Sequence, residues 1–193
     1  MGVYLYSDTY EYSYTFKWKT ASQIGGERTT QIWTIAVNTD GLTWTSGSDV
    51  VVTKSIPSLT NAKKIIVTST ILGQSVTNTA WNTGIGKGTW WGTGYVTYQV
   101  YWSQFNGMKV AIGYNWTDYK WNSVWNATGT TYKPTLIIDL VAKTITWVVS
   151  WFSNSTYTLT DAQITDIKTY EYITCYALLT KSTISDISIT IEY

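Results

Sequence analysis

The sequence predicts an all-β domain in which two antiparallel sheets pack face to face. Apolar and polar residues alternate with a period of two along much of the chain, most clearly where Tyr10, Tyr12, Tyr14, Phe16 and Trp18 alternate with polar residues. Successive side chains of a strand point to opposite faces, so this alternation is typical of a strand with one apolar face. Segments containing Gly, Asn or Asp separate the alternating runs, and no helical periodicity lies between them to build parallel units.

Further strands are predicted wherever the same alternation recurs, which is over residues 33–37, 65–71, 96–102, 110–114, 136–140, 145–151 and 187–193. The spacing of these runs predicts about eleven to thirteen strands. Asp40-Gly41 and Asn106-Gly107 are the strongest hairpin signals, since such pairs accept positive φ angles. One short helix is predicted over Leu159 to Ile167, with Thr160 or Asp161 as its N-cap.

Length and charge limit the classes of function. The 193 residues predict one domain that spans 1–193. With 13 basic and 12 acidic side chains, the net charge of +1 provides no attraction to nucleic acid or to an anionic membrane. No run of 18 apolar residues predicts membrane insertion, and the N-terminal residues do not resemble a signal peptide. The low charge nevertheless favours an extracellular or virion-surface location.

Catalysis is disfavoured by the side chains that are present. The chain has no His, which excludes Ser-His-Asp triads and zinc sites with His ligands. We interpret its one cysteine, Cys175, as a small buried apolar residue. A glycosidase needs two carboxylates, yet none of the four Glu residues has a second acid two positions away. Asp139 lies between Ile138 and Leu140, and alternation predicts that it faces solvent. We therefore expect a protein that is not an enzyme.

No cofactor is expected. A structural calcium ion would need several clustered oxygen ligands, and Asp118 with Asn115 and Asn122 could contribute some of them. Their spacing matches no established calcium loop, and turn formation accounts for these residues better.

Aromatic residues are concentrated in the middle of the chain, where seven of the 12 tryptophans fall between residues 81 and 125. Some of them alternate with Asn and Asp, which offers flat rings beside amide and carboxylate groups, as a sugar requires. Core packing is the most frequent use of such residues, and protein–protein contact is a further alternative. The candidate ligand-contact residues are Trp90, Trp91, Trp116, Tyr119, Trp121 and Trp125.

The C-terminal third has a characteristic order. Residues 135–149 read TLIIDLVAKTITWVV, which predicts a hairpin; a loop with a helical turn follows, and the chain ends ISDISITIEY. This order resembles the end of concanavalin A-like (laminin G-like) jelly-roll sandwiches, over Thr135 to Tyr193. The resemblance implies two curved antiparallel sheets of jelly-roll type and, commonly, glycan binding. The composition is also similar to that of surface and structural proteins of hyperthermophilic archaeal viruses.

The sequence thus predicts a non-catalytic extracellular or virion-surface module of lectin-like character that binds glycans or another cell-surface partner. The first alternative is a structural subunit of a capsid, fibre or filament, in which the aromatic residues and exposed edge strands are buried against neighbouring copies or other virion proteins. The second alternative is a glycoside hydrolase.

Overall fold

The structure is a computed structural model that describes residues 8–19, 29–31, 35–44, 50–72, 79–87, 94–103, 107–114, 118–124, 131–149, 154–178 and 183–193. In chain order its elements are β1 (Thr9–Thr15), β2 (Thr29–Gln31), β3 (Ile35–Asn38), β4 (Gly41–Trp44), β5 (Val50–Ser55), β6 (Lys64–Leu72), β7 (Thr79–Gly86), β8 (Tyr95–Ser103), β9 (Gly107–Tyr114), β10 (Asp118–Val124), β11 (Thr131–Tyr132), β12 (Thr135–Asp139), β13 (Thr144–Val148), β14 (Ser155–Thr158), α1 (Asp161–Ile167), β15 (Tyr172–Leu178) and β16 (Thr183–Glu192).

The strands form two antiparallel sheets, as predicted. The nine-stranded sheet has the order β14-β13-β12-β6-β16-β4-β3, with β1 beside β16 and β11 beside β6. The seven-stranded sheet has the order β10-β9-β8-β7-β15-β5-β2. The described residues contain sixteen strands rather than eleven to thirteen. The difference arises because strands as short as β2 and β11 are too brief for a period of two to be recognised.

The core lies between the sheets and is filled by the inner positions of the long strands. In β6, Ile65, Val67, Ser69 and Ile71 are buried on the inner face, while the residues that alternate with them are half-buried on the outer face. In β16, Ile187 and Ile189 are buried in the same alternating pattern. The period of two thus sorts the side chains into a core face and an outer face, which explains why it predicts these strands well.

The first strand differs from the prediction at its end. Tyr10, Tyr12 and Tyr14 are half-buried and pack against the core, and Phe16 is fully buried just beyond the strand. Trp18 was expected on the same face, but its side chain is 77% exposed. The reason is that β1 ends at Thr15 and Trp18 occupies a turn with φ = 61°, which breaks the alternation.

The predicted helix is confirmed as α1, with Thr160 as its N-cap. The Thr160 hydroxyl accepts a hydrogen bond from the Gln163 backbone N–H (3.3 Å), and the Thr160 N–H donates to Gln163 Oε1 (2.8 Å). This reciprocal capping box satisfies backbone donors that a helix start otherwise leaves unpaired. Ile167 and Tyr170 are buried, so the helix packs against one end of the sandwich. Among the described residues, no helix is both long and apolar enough to cross a membrane.

Two further residues behave as the sequence indicated. Cys175 is buried on the inner face of β15. Asp139 is half-buried at the end of β12, where its Oδ1 accepts hydrogen bonds from the N–H groups of Val141 (3.1 Å) and Ala142 (2.7 Å). Asp139 therefore organises the turn into β13, which is a structural role.

The hairpin predicted at Asp40-Gly41 is present. Asn38 pairs with Gly41, so the turn consists of residues 39 and 40, and Gly41 begins β4 with φ = 132°. A side chain at Gly41 would collide with the Ile184 carbonyl of β16. The hairpin at Asn106-Gly107 is confirmed by the pairing of Gly107 with Ser103, although Asn106 itself lies outside the described residues.

We expect Thr160→Ala to lower the free energy of unfolding by about 1 kcal/mol, because the hydroxyl that accepts the Gln163 N–H is lost. Urea denaturation followed by circular dichroism measures this. Thr165→Ala, in the same helix and exposed, is the matched control and should change stability by less than about 0.5 kcal/mol. Equal effects of the two substitutions would contradict the capping role.

Candidate functional site

The outer face of the seven-stranded sheet carries a row of small residues. Ile85, Val96 and Ile173 belong to the core, so alternation places their neighbours on the outer face. Gly84 pairs with Thr97 on one side and with Thr174 on the other. The row continues to Gly113 on β9 and to Thr53 on β5. We call these five positions, Gly113, Thr97, Gly84, Thr174 and Thr53, the small-residue row.

Exposure varies along this row. Gly84 and Thr97 are buried, whereas Thr174 on β15 is half-buried. A side chain at Gly84 would collide with the Val96 carbonyl of β8, so the close approach of β7 and β8 requires glycine there. The outer face is therefore accessible mainly towards β15.

Two of the predicted contact residues lie on the edge strand β10. Tyr119 pairs with Gly113, so its position ends the small-residue row, and Trp121 pairs with Ala111, one row further along the same face. The other four candidates, Trp90, Trp91, Trp116 and Trp125, lie outside the described residues.

The strand ends that flank these four residues are described, and they divide into two groups. Gly86 pairs with Tyr95, and Tyr114 pairs with both Val96 and Asp118. The strand ends on either side of Trp90-Trp91 and of Trp116 therefore meet at one end of the sheet. Val124, which precedes Trp125, ends β10 at the opposite end of the sheet.

A groove of about 540 Å³ opens beside β15, at the end of the sheet where Gly86 and Tyr114 lie. We call it the end groove. Tyr172 lines it together with four hydroxyl-bearing residues and the charged pair Lys168 and Glu171; the hydroxyl-bearing residues are Ser55, Ser58, Thr60 and Thr169. Tyr172 is half-buried and pairs with Ser55 and Gly86, which places it on the outer face, next to the small-residue row.

The walls of the end groove are held in place by backbone hydrogen bonds. The Glu171 N–H donates to the Gly86 carbonyl (3.0 Å), and the Glu171 carbonyl accepts from the Ile56 N–H (2.9 Å). The Ser58 and Thr60 hydroxyls are 2.9 Å apart. Glu171 is exposed and Lys168 is half-buried, so both can offer charged hydrogen-bonding groups to a bound molecule. The groove thus combines an aromatic ring, hydroxyl groups and one carboxylate.

The sequence analysis did not single out these residues. They come from two segments more than a hundred positions apart, and Ser and Thr are too common in this chain to stand out. Tyr172 carried a weak signal, because it lies just after the predicted helix and begins an apolar strand.

A polar cluster centred on Asp166 ties α1 to the seven-stranded sheet. The Tyr114 hydroxyl donates to Asp166 Oδ2 (2.6 Å), and the Tyr170 hydroxyl donates to the same oxygen (3.0 Å). Lys87 Nζ lies 3.7 Å from Asp166 Oδ1. Because the Lys87 side chain is 50% exposed, solvent screening leaves this ion pair a small contribution. Within this cluster, the Tyr114 hydrogen bond is therefore the main link between the helix and the end of β9.

Burial raises the pKa of Tyr170 far above its ordinary value, and the nearby Asp166 charge and hydrogen bond raise it further. The tyrosinate form is strongly disfavoured in the folded protein, so Tyr170 acts as a hydrogen-bond donor and not as a base.

Among the described residues, no three Cys, Asp or Glu side chains come together as a metal-binding group. Of the calcium ligands considered above, Asp118 and Asn122 lie at positions on β10, and Asn115 is outside the described residues.

We expect the raised pKa of Tyr170 to make the protein lose stability at alkaline pH. The unfolded tyrosine releases its proton above about pH 10 while the folded one retains it, so unfolding becomes more favourable as the pH rises beyond that value. Below pH 10 this contribution is fully present. Tyr170→Phe should reduce the alkaline loss, as measured by urea denaturation between pH 8 and 11. The same loss of stability in both proteins would contradict this assignment.

No protein-family model matches the chain, and no curated protein matches it. Solved structures do match it in fold. Peanut lectin is 15% identical, with a TM-score of 0.61 over 95% of this chain and 97% of that chain. Crh5 transglycosylase is 12% identical, with a TM-score of 0.61 over 94% of this chain and 83% of that chain. The CBM2 module of Lactobacillus casei BL23 phage J-1 evolved Dit is 7% identical, with a TM-score of 0.55 over 75% of this chain and 70% of that chain. Together with the two-sheet topology, these matches show that the chain has the concanavalin A-like jelly-roll sandwich fold.

Proposed function

We propose that this protein is a non-catalytic carbohydrate-binding module, with the end groove and the adjoining outer face of the seven-stranded sheet as its sugar-contact surface. The observation that carries the proposal is the position of Tyr172, whose half-buried ring lies on the outer face and lines a groove rich in hydroxyl groups. A sugar ring has an apolar C–H face that stacks on an aromatic ring and hydroxyls that need hydrogen-bond partners. Both kinds of partner meet at this groove.

The groove carries one positive and one negative side chain, which suits a ligand that is neutral or that has groups of both charges. Glu171 accepts hydrogen bonds from sugar hydroxyls, and Lys168 donates to hydroxyl or ring oxygens. Hydrogen bonds to charged groups are stronger than neutral ones, which compensates for the shallow shape of the groove.

The separation of Tyr119 and Trp121 from Tyr172 favours an oligosaccharide that contacts the sheet at β10 and at β15, because Gly84 and Thr97 between them are buried. From β10, which carries Tyr119 and Trp121, to β15, which carries Tyr172, there are four inter-strand steps. At about 4.8 Å each, they span roughly 19 Å. In this proposal Tyr119 and Trp121 provide further aromatic contacts at the far edge of the sheet, and Trp90, Trp91, Trp116 and Trp125 remain candidate contacts from its ends.

Among the described residues of this surface there is no suitable carboxylate pair, which supports the non-catalytic part of the proposal. Glu171 is the one carboxylate among the described residues that line the end groove. The seven described strands of this sheet contain a single acidic residue, Asp118, on the edge strand β10. Hydrolysis of a glycosidic bond ordinarily uses two carboxylates on either side of the bond. A glycosidase or transglycosylase, as the similarity to Crh5 transglycosylase would suggest, is the alternative.

Low charge and abundant polar hydroxyls also support an extracellular or virion-surface location.

A structural role in a capsid, fibre or filament is the competing proposal. The edge strand β14 favours it, since its sequence STYT contains no charged residue to block pairing with another strand. Light scattering across a concentration series separates the two: a protein that stays monomeric argues against assembly.

We expect Tyr172→Ala to weaken binding of soluble oligosaccharides at least roughly tenfold, equivalent to about 1.4 kcal/mol, because the stacking ring is removed. Binding is measured by titration calorimetry on a ligand first selected from a glycan array. Tyr172→Phe should retain most of the affinity, since the ring remains. Val141→Ala is the matched control, because Val141 is exposed in the β12–β13 turn of the other sheet. Unchanged affinity in Tyr172→Ala would refute the groove as the binding site.

We expect no turnover of the bound oligosaccharide by the wild-type protein, as followed by release of reducing ends. Glu171→Gln should also leave the oligosaccharide uncleaved. Turnover that is abolished by this substitution would overturn the non-catalytic proposal.

A further inference from the structure

Trp18 is the most exposed large apolar side chain among the described residues, and its backbone is unusual. Its side chain is 77% exposed and its φ is 61°. The Lys19 N–H donates to the Phe16 carbonyl (3.4 Å), so Trp18 occupies the third position of a four-residue turn. Glycine is the favoured residue at a turn position with positive φ, and a bulky residue there is an outlier. A strained residue of this kind points to a role outside folding.

The turn is firmly anchored at its start. The Phe16 side chain is fully buried, and its N–H donates to the Ser185 carbonyl (2.7 Å). The Lys17 N–H donates to the Thr15 hydroxyl (3.3 Å). The indole of Trp18 is therefore presented to solvent from a fixed base, which lowers the entropy lost when it contacts a ligand.

A depression of about 320 Å³ lies immediately beside this turn, on the outer face of the nine-stranded sheet. We call it the hydroxyl depression. Its floor consists of two neighbouring rows of paired residues, each row crossing β1, β16 and β6. The rows are Ser13–Ser188–Thr68 and Thr15–Asp186–Thr70. Five of these six side chains carry a hydroxyl group and the sixth carries a carboxylate.

The last residues of β1, which lead into the turn, line the depression. Thr15 lines the depression, and its hydroxyl accepts the Lys17 N–H. Tyr14 also lines the depression, and Lys19 Nζ lies 5.6 Å from the centre of the Tyr14 ring. Trp18 follows Thr15, a lining residue of the depression, by three positions along the chain.

We propose that Trp18 and the hydroxyl depression form a second sugar-binding site, on the sheet opposite to the end groove. The ligand class is a neutral sugar unit of an oligosaccharide: its C–H face stacks on the indole, and its hydroxyls exchange hydrogen bonds with the Ser and Thr hydroxyls. Asp186 accepts hydrogen bonds from sugar hydroxyls and repels an anionic sugar. The inference shares its ligand class with the proposed function but uses none of the same residues.

Two sites on opposite faces would make the domain bivalent. A bivalent domain links two glycan chains, or binds one glycan-coated surface with an avidity above the affinity of either site.

The test is titration calorimetry of the full chain with three neutral probes, maltohexaose, cellohexaose and xylohexaose. The wild-type protein is expected to bind at least one of them at two sites. Trp18→Gly should remove one site, with at least a roughly tenfold loss of affinity there. Its thermal unfolding midpoint should be equal to or above that of the wild type, because glycine adopts a φ of 61° without strain. Loss of binding in a variant that is no less stable separates recognition from folding.

Matched variants distinguish this site from the end groove. Tyr172→Ala should retain the Trp18 site, and Val141→Ala, which changes an exposed apolar residue at the other end of the nine-stranded sheet, should retain both. If Trp18→Gly titrates like the wild type, the second site is refuted and the end groove stands. If Trp18→Gly loses binding but Tyr172→Ala does not, the end groove is refuted and the second site stands. Failure of all three probes to bind the wild type at millimolar concentration refutes both.

Discussion

The pairing of β16 with β6 is the interaction on which the rest of the structure depends. The C-terminal strand lies inside the nine-stranded sheet, with β6 on one side and with β1 and β4 on the other. Its inner residues Ile187, Ile189 and Ile191 are buried against the core. Burial of each such side chain contributes about 1.5–3 kcal/mol, which is large beside a net stability of about 5–15 kcal/mol. The ten residues of β16 therefore join β1 to β6, which lies in the middle of the chain.

This arrangement divides the protein into one shared core and two outer faces. The described part of the core is filled mainly by apolar side chains, so we place the proposed recognition on the outer faces or at the ends. Each outer face has its own character: the seven-stranded sheet carries glycine and small residues beside Tyr172, and the nine-stranded sheet carries rows of hydroxyls beside Trp18. The fold itself supports many functions, so we infer sugar binding from these side chains and not from the fold.

The abundance of aromatic residues has no single explanation. Trp147 is 1% exposed and belongs to the core, whereas Trp18, in an equally regular alternation, is 77% exposed. Both lie in runs that predict an apolar face. They differ because β13 continues through Trp147, while β1 ends three residues before Trp18. A pattern of side chains cannot indicate where a strand ends if the pattern itself continues beyond the end.

The sequence by itself determined the long strands, the hairpins at Gly41 and Gly107 and the capped helix α1, because each depends on neighbours within a few residues; the two-sheet architecture was predicted from the number and spacing of such strands. It also predicted the inner positions of the long strands, since alternation and burial follow the same period. Only the tertiary structure decided where the proposed recognition surfaces lie. The end groove and the hydroxyl depression bring together strands that are distant in sequence. Their Ser, Thr and Tyr residues become candidate ligand contacts only because the register of the strands makes them neighbours.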